Sequence, residues 1–539
     1  IESLEKLSAM GAGGVVCYTA GFGETGTEGA QAEARLVRAA GDLALIGPNC
    51  YGLINYVDKV ALWPFTHGGS CPGHGAAIIT QSGMLSSDFT MSQRGVPFAY
   101  MVSAGNQTIL RLEDFVDALA DRPEVRAIGL HIEGLKDVQA FERAALKSLS
   151  LGKPIVALKT GTSRLGSSLT VSHTGSLSGT EELYDALFDR LGIIRVNSPA
   201  QLLETVKFLC VAGVPKGQRI AGLTCSGGGA TMLADYAERL NLAFTPPDAT
   251  TSAALRAQLP ATATVSNPLD YTTPIWGIPE KTRPVFDTLF AQGHDAAVIV
   301  QDYPAPGLDE SKPYYRNDTL SFIAAAKAQG LPAAVCSTIP ENLDEETRSF
   351  LVGQGIAPMQ GIEECMTAIA AAAWHGARRG QIMAQANAPL VTPQPASRTR
   401  LVDEAAAKKL LAAKGIAVPR SRIGNGAAAP ALAQELGFPV ALKMVSAQLP
   451  HKTEAGAVKL GIASPQAMAE AVARMTSDVT AFKAAAVTDT FLIEGMVAAP
   501  VAELMVSIRR DPQFGLAMTL AAGGILVELL ADAATVLLP

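Results

Sequence analysis

Short β-branched runs alternate with helical stretches through most of the chain. Ala76-Ala77-Ile78-Ile79-Thr80 reads as a buried strand leading into a helix, and Pro154-Ile155-Val156-Ala157-Leu158 as a strand that follows one. Residues 127–132 and 219–224 repeat the pattern. Such alternation predicts an α/β fold built on parallel sheets. Three junctions are rich in glycine or serine: Gln81-Ser82-Gly83, Gly105-Asn106 and Cys225-Ser226-Gly227-Gly228-Gly229. Each offers backbone N–H groups near a helix start, where an anion is welcome, although a Ser-Gly turn more often simply caps its helix. The two units around Ser82 and Ser226 look like the openings of two similar flavodoxin-like domains.

The pattern breaks near residues 66–73, 213–217 and 381–400, the last with Asn387-Ala388-Pro389 and Thr392-Pro393-Gln394-Pro395, which reads as a linker. Beyond it, a helix is expected from Asp403-Glu404 to Lys414. Strand-like runs follow at Gly415-Ile416-Ala417-Val418-Pro419 and Phe438-Pro439-Val440-Ala441-Leu442-Lys443.

Composition adds limits. With 539 residues, 48% hydrophobic and 17% charged, the chain has room for three or four domains with cores of their own. A net charge of −7 without a basic run speaks against nucleic acid or an anionic membrane surface as partner. Purely apolar stretches such as residues 368–374 fall short of the roughly 20 residues a spanning helix needs. Seven cysteines without metal-ligand spacing suit reduced thiols and a cytoplasmic protein. The chain opens on Ile1 and closes on Leu537-Leu538-Pro539, so both ends are expected to be cut.

Two histidines sit in settings that suit a carrier of a chemical group. His173 lies in Val171-Ser172-His173-Thr174-Gly175-Ser176-Leu177-Ser178-Gly179, where small neighbours leave room at the ring nitrogen; His451 lies in Pro450-His451-Lys452-Thr453. Glu133 ends an apolar run and is followed by Gly134, a place from which a carboxylate can orient an imidazole. The residues alone leave open a plain surface histidine and a solvated glutamate. Lys443 at the end of its run is either a phosphate ligand or a snorkelling edge lysine.

In order along the chain, Ile46-Gly47-Pro48-Asn49-Cys50-Tyr51-Gly52, Thr80-Gln81-Ser82-Gly83, Ser103-Ala104-Gly105-Asn106, Ile132-Glu133-Gly134, Ser172-His173-Thr174-Gly175 and Asn267-Pro268-Leu269-Asp270 resemble the motifs of the NDP-forming (ADP-forming) acyl-CoA synthetases, relatives of succinyl-CoA synthetase. The resemblance covers nearly the whole chain. It implies a Rossmann-like CoA-binding remnant over residues 1–70, flavodoxin-like domains over 71–215 and 216–385, a linker over 386–400, and a C-terminally incomplete ATP-grasp domain over 401–539. His173 is then the phosphorylated histidine, Glu133 its orienting acid and His451 a phosphate shuttle. Gln81, Ser82, Gly83, Ser226, Gly227 and Gly228 form phosphate-binding helix starts. Asn49, Cys50, Gly105 and Asn106 face CoA and the acyl group. Lys443, Glu494, Glu503 and Arg509 bind ATP, with Glu494 near the adenine.

The implied reaction joins a carboxylic acid to CoA with ATP and Mg2+, through an acyl phosphate and a phosphohistidine, releasing ADP and phosphate. A homodimer is expected. Departures are Ala457, where relatives carry a second glycine, and the family's N-terminal CoA loop and late metal segment, which should lie before Ile1 and after Pro539; metal ligands are therefore unassigned. Rival readings are a non-catalytic CoA or nucleotide sensor, an ATP-grasp ligase without phosphohistidine, and a dehydrogenase, for which the chain shows no hydride-transfer constellation. Tyr51, Trp63, Phe65 and Phe98 allow an aryl or hydroxycinnamic acid beside short aliphatic ones, though aromatic side chains more often serve a core.

Overall fold

The apolar runs become the inner strands of parallel sheets. The computed structural model describes residues 1–163, 165–166, 180–385, 388–391, 400–449, 452–498, 500–524 and 532–539. Two short strands, β1 (Gly14–Val16) and β2 (Ala44–Ile46), pair in parallel over a small core of Leu4, Leu36, Ala40, Leu43 and Leu45. Seven more follow: β3 (Gly52–Asn55), β4 (Val60–Leu62), β5 (Gly75–Thr80), β6 (Phe98–Ser103), β7 (Val125–Ile132), β8 (Ile155–Lys159) and β9 (Ile194–Val196). They form one sheet in the order β4-β3-β6-β5-β7-β8-β9. The pairs from β6 through β9 are parallel, and β3 and β4 add an antiparallel edge. All residues of β5 and β6 are buried, which is why these strands read as continuous apolar runs without alternation. Residues 52–62, expected in the first domain, thus hydrogen-bond into the seven-stranded sheet.

The second sheet contains β10 (Ile220–Thr224), β11 (Leu269–Asp270), β12 (Ala296–Val300), β13 (Ala333–Ser337) and β14 (Ala357–Gln360), all parallel, in the order β11-β10-β12-β13-β14. Its helix Ile362–Ala384 contains the 368–374 apolar run and packs on the helix Pro199–Val211. Two sheets with parallel cores, as the sequence leads one to expect, are therefore present.

The chain divides into two compact units. Residues 1–393, 507–519 and 534–539 make the larger, and residues 394–506 and 520–533 the smaller. In the smaller unit β15 (Ser421–Gly424), β16 (Val440–Met444), β17 (Val458–Ile462) and β18 (Phe491–Gly495) form an antiparallel sheet in the order β15-β18-β16-β17. The run 415–419 is not a strand. Gly415 and Ile416 close the Glu404–Ala413 helix with bonds back to Ala412 and Leu411, Pro419 has no N–H to give a ladder, and β15 begins only at Ser421.

A three-stranded sheet in the order β19-β20-β21 is made by β19 (Leu504–Asp511), β20 (Gly515–Ala522) and β21 (Ala534–Leu538). Phe514, Ala517 and Leu537 are buried in the core that also holds Tyr184, with the Tyr184 and Phe514 rings 5.1 Å apart. The stretch 401–539 is thus shared between the two units, because these apolar side chains find their burial in the larger one.

Candidate active site

The two Ser-Gly junctions fold alike. At each, a threonine ending a strand accepts the serine N–H: Thr80 Oγ1 from Ser82 at 3.0 Å and Thr224 Oγ1 from Ser226 at 3.1 Å. The serine then caps a helix, Gly83–Thr90 or Gly227–Arg239. Ser82 Oγ accepts the N–H of Leu85 at 3.3 Å, whereas Ser226 makes no side-chain cap bond. Gly83 lies under Tyr51, whose ring a Cβ there would meet at 3.1 Å. Gly227 faces Asp270, with a Cβ falling 3.6 Å from Oδ2, and a Cβ at Gly228 would lie 3.7 Å from Ser226 Oγ. Asn267 is structural: it accepts the N–H of Gly222 and donates to the carbonyls of Ile220 and Thr245.

Gln81 does not extend into the junction as a free ligand. Its Oε1 accepts the N–H groups of Glu133 (2.6 Å) and Gly134 (3.0 Å), and its Nε2 donates to Gly134 O at 2.6 Å. One amide therefore ties the end of β5 to the end of β7 and sets Glu133 beside the Ser82 helix start. Behind it, His131 is 3% exposed and bridges Thr80 Oγ1 (3.1 Å) and Thr160 Oγ1 (3.0 Å). Thr80 gives its hydroxyl proton to Ser82 O, so the ring donates from Nδ1 and accepts at Nε2 as neutral imidazole. Burial, helped by the charge of Lys159, pulls its pKa down to about 4.

Lys159, the last residue of β8, is 6% exposed. Its Nζ donates to the carbonyls of Glu133 (3.0 Å) and Thr160 and lies 4.6 Å from the centre of the Tyr184 ring. Tyr184 in turn accepts the N–H of Leu135 at 3.1 Å.

The Asn49 and Gly105-Asn106 loops interlock. Asn49 Nδ2 donates to Asn106 Oδ1 at 3.3 Å, and Asn106 N donates to Pro48 O at 2.9 Å. Gly105 has φ +59° and lies so close to the carbonyls of Pro48 and Asn49 that no side chain fits. Cys50 is 2% exposed with its thiol turned to Cys17 O, and burial pushes it up to about 12, so it holds the loop and offers no thiolate. Tyr51 makes edge contacts with Trp63 (5.8 Å) and Phe65 (4.9 Å), and its hydroxyl lies 3.3 Å from Met84 Sδ. Phe65 and Met84 are exposed, while Phe98 is buried against Tyr56 and belongs to the core.

In the smaller unit, β16 and β18 place Lys443 and Glu494 side by side, Nζ to Oε2 2.8 Å. Glu494 is buried and also holds Lys408 Nζ at 2.6 and 2.7 Å. Glu404 accepts from Lys443 (2.5 Å), Lys408 (2.9 Å) and Lys452 (2.9 Å). Burial would raise the Glu404 carboxyl, but the three lysines hold it down at about 2; burial would lower Lys443, and the two carboxylates raise it. Glu503 is exposed, next to Gly523 and Gly524. Arg509 is engaged in the larger unit with Glu182 (2.8 Å) and Thr180 (3.3 Å). His173 and His451 lie outside the described residues.

The succinyl-CoA ligase like flavodoxin domain family matches residues 73–209, and the ATP-grasp domain family matches residues 394–539. Trans-feruloyl-CoA synthase FCS1, from an unknown prokaryotic organism, is 31% identical over 544 residues, covering 99% of this chain and 76% of the relative. Acetate–CoA ligase [ADP-forming] I of Archaeoglobus fulgidus is 30% identical over 551 residues, covering 98% and 76%. This chain belongs to the ADP-forming acyl-CoA synthetases.

The synthetase is an acid–thiol ligase whose reaction draws on ATP and CoA. The crystal structure of PH0766 from Pyrococcus horikoshii OT3 superposes with a TM-score of 0.60 at 26% identity, over 70% of this chain and 82% of that one. A dinucleotide-forming acetyl-coenzyme A synthetase 1 of Ca. Korarchaeum cryptofilum, in complex with phosphate and ADP, shares the fold with a TM-score of 0.61 at 23% identity, over 72% and 82%. Among the described residues no helix is long and apolar enough to cross a membrane.

Four residues bonded to these side chains carried weaker signals. Lys159 follows a strand-like run directly, as Lys443 does. His131 sits two residues before Glu133. Glu404 and Lys408 are four apart on an alanine-rich helix, the spacing that puts opposite charges on one face.

Proposed function

We propose that this synthetase makes the CoA thioester of an aromatic, hydroxycinnamate-like acid, as a cytoplasmic homodimer. The observation that carries the choice of acid is the cluster of Tyr51, Trp63, Phe65 and Met84 at the start of the Gly83–Thr90 helix. An exposed aromatic and a methionine at the mouth of an N–H-rich helix start offer a flat acyl group a face while the helix start receives its carboxylate or acyl phosphate. The likeness to a feruloyl-CoA synthase supports the same choice.

In this reading His173 takes the γ-phosphoryl group of ATP, and Glu133 orients the ring and stabilises its cationic form. Ser82 and Gly83 at one helix start, and Ser226, Gly227 and Gly228 at the other, donate to the phosphoryl oxygens, and Gln81 fixes Glu133. The carboxylate of the acid attacks phosphorus and breaks the N–P bond; the CoA thiolate then attacks the acyl carbon and expels phosphate. The interlocked Asn49, Cys50, Gly105 and Asn106 loops border the CoA and acyl groups. Lys443 and Glu494 serve the nucleotide with Glu503 and Arg509, and His451 carries phosphate between sites. The domain limits implied by the resemblance complete the reading, with residues 52–62 contributing strands to the 71–215 domain.

Magnesium suits the transferring phosphate. Among the described residues no three His, Cys, Asp or Glu side chains cluster for it, and Glu404 and Glu494 are occupied by lysines.

A panel of acids assayed for acyl-CoA, with ADP and AMP separately measured, tests the proposal. Ferulate and related acids should exceed acetate in kcat/KM by about tenfold or more, the worth of one well-placed ring. Phe65→Ala should narrow that gap and leave the KM for CoA unchanged. Acetate as the preferred acid would contradict the choice. Light scattering that returns the mass of one chain would contradict the dimer.

A further inference from the structure

An ammonium group is costly to bury, and two carbonyl acceptors alone do not explain its choice, since a neutral amide could donate to both. Lys159 is nonetheless 6% exposed at the end of β8, with its Nζ on the carbonyls of Glu133 and Thr160 and over the Tyr184 ring. The carboxylate of Glu133 attracts this charge, and no sequence motif that led to Glu133 included Lys159. We propose that Lys159 is a positioning residue for phosphoryl transfer: its ammonium pins the main chain of Glu133 and balances that residue's charge while Glu133 orients the phosphorylated imidazole. This rests on the reading of His173 as the phosphorylated residue.

The charge of Lys159 is a titrating quantity. Burial, the largest influence, draws its pKa down to about 8; Glu133 and Glu181 oppose the fall and Arg195 adds to it. Arg195 is itself paired with Glu181 at 2.7 Å and with Asp185. Among the described residues, the other titratable groups against it are His131, which stays neutral above about pH 4, and Tyr184, whose phenol burial raises. As pH rises through about 8, Lys159 is therefore the group among these that loses its charge.

The test is the rate at which the full-length protein takes label from γ-labelled ATP, without acid or CoA, between pH 6.5 and 9.5. In the wild type the rate should fall above about pH 8, approaching tenfold per pH unit, while ATP affinity stays level. Lys159→Arg should move that fall beyond pH 9.5. Lys159→Gln, which keeps a donor but not the charge, should label about tenfold or more slowly at pH 7 and show no fall near pH 8. The wild-type profile alone decides if the variants do not fold. A flat wild-type rate to pH 9.5, a fall that stays at pH 8 in Lys159→Arg, or a folded Lys159→Gln labelled at the wild-type rate would overturn the proposal alone. Absence of label in the wild type at every pH would overturn the phosphohistidine reading and the proposal with it.

Discussion

The side-chain oxygen of Gln81 accepts the backbone N–H of Glu133 at 2.6 Å, joining the end of β5 to the end of β7. The helix start proposed for phosphate and the acid proposed for the histidine are thus set by one amide.

Gln81→Ala should uncouple them. It leaves two N–H groups and one carbonyl without that buried partner, at about 1–3 kcal/mol for each group that water cannot reach. Unfolding should move down by several degrees, and kcat should drop with little change in the KM for ATP. Equal kcat in a folded Gln81→Ala protein would show that Glu133 is held by other means.

His131 should make the synthetase acid-sensitive. Its pKa is about 4 in the fold and near 6.5 unfolded, so the stability its neutral form allows is complete above pH 6.5 and is lost as pH falls from there to 4. The loss is of the order of 3 kcal/mol. His131→Gln, with a donor and an acceptor but no basic nitrogen, should flatten unfolding midpoints across that window; an unchanged slope would assign the acid sensitivity to other groups.

Lys443 and Lys408 should separate on substitution. Lys443→Met should weaken ADP binding, read by calorimetry, by about tenfold or more. Lys408→Met leaves Glu494 buried with Lys443 alone and should cost stability first, by about 1–3 kcal/mol. Equal losses of ADP affinity in both would make Lys408 a direct nucleotide ligand.

Arg509 has two candidate duties, and Glu182 tells them apart. The pair is more than two-fifths exposed on both sides, so breaking it should cost under about 1 kcal/mol. If Arg509 serves ATP, Arg509→Ala should raise the KM for ATP while Glu182→Ala does not. Matching effects in both variants would confine Arg509 to its pairing with Glu182.

The parallel sheets were legible because strands buried on both faces leave unbroken apolar runs, as in β5 and in residues 155–158 of β8. The Thr-X-Ser-Gly turns were legible because a strand end, a cap and a glycine fall in fixed order. What the sequence hid are relations between distant segments. Gln81 reads as part of a loop, yet its amide is spent on Glu133 and Gly134. Lys159 and Glu133 are 26 residues apart and meet only because β7 and β8 are neighbours. Glu404 and Lys408 gain meaning only when β16 and β18 bring Lys443 and Glu494 to their helix. The run 415–419 misled because apolar content outweighed Gly415 and Pro419, which stop a helix and deny a ladder. Phe514 and Leu537 follow the ATP-grasp motifs in sequence but find their burial beside Tyr184.

The proposed relay depends most directly on whether His173 carries phosphate. Protein incubated with γ-labelled ATP should acquire a label that is acid-labile and base-stable, discharge it on adding a carboxylic acid and CoA with formation of acyl-CoA, and release ADP and no AMP. His173→Ala should lose the label and the thioester together. A His173→Ala protein that forms acyl-CoA at the wild-type rate would contradict the relay.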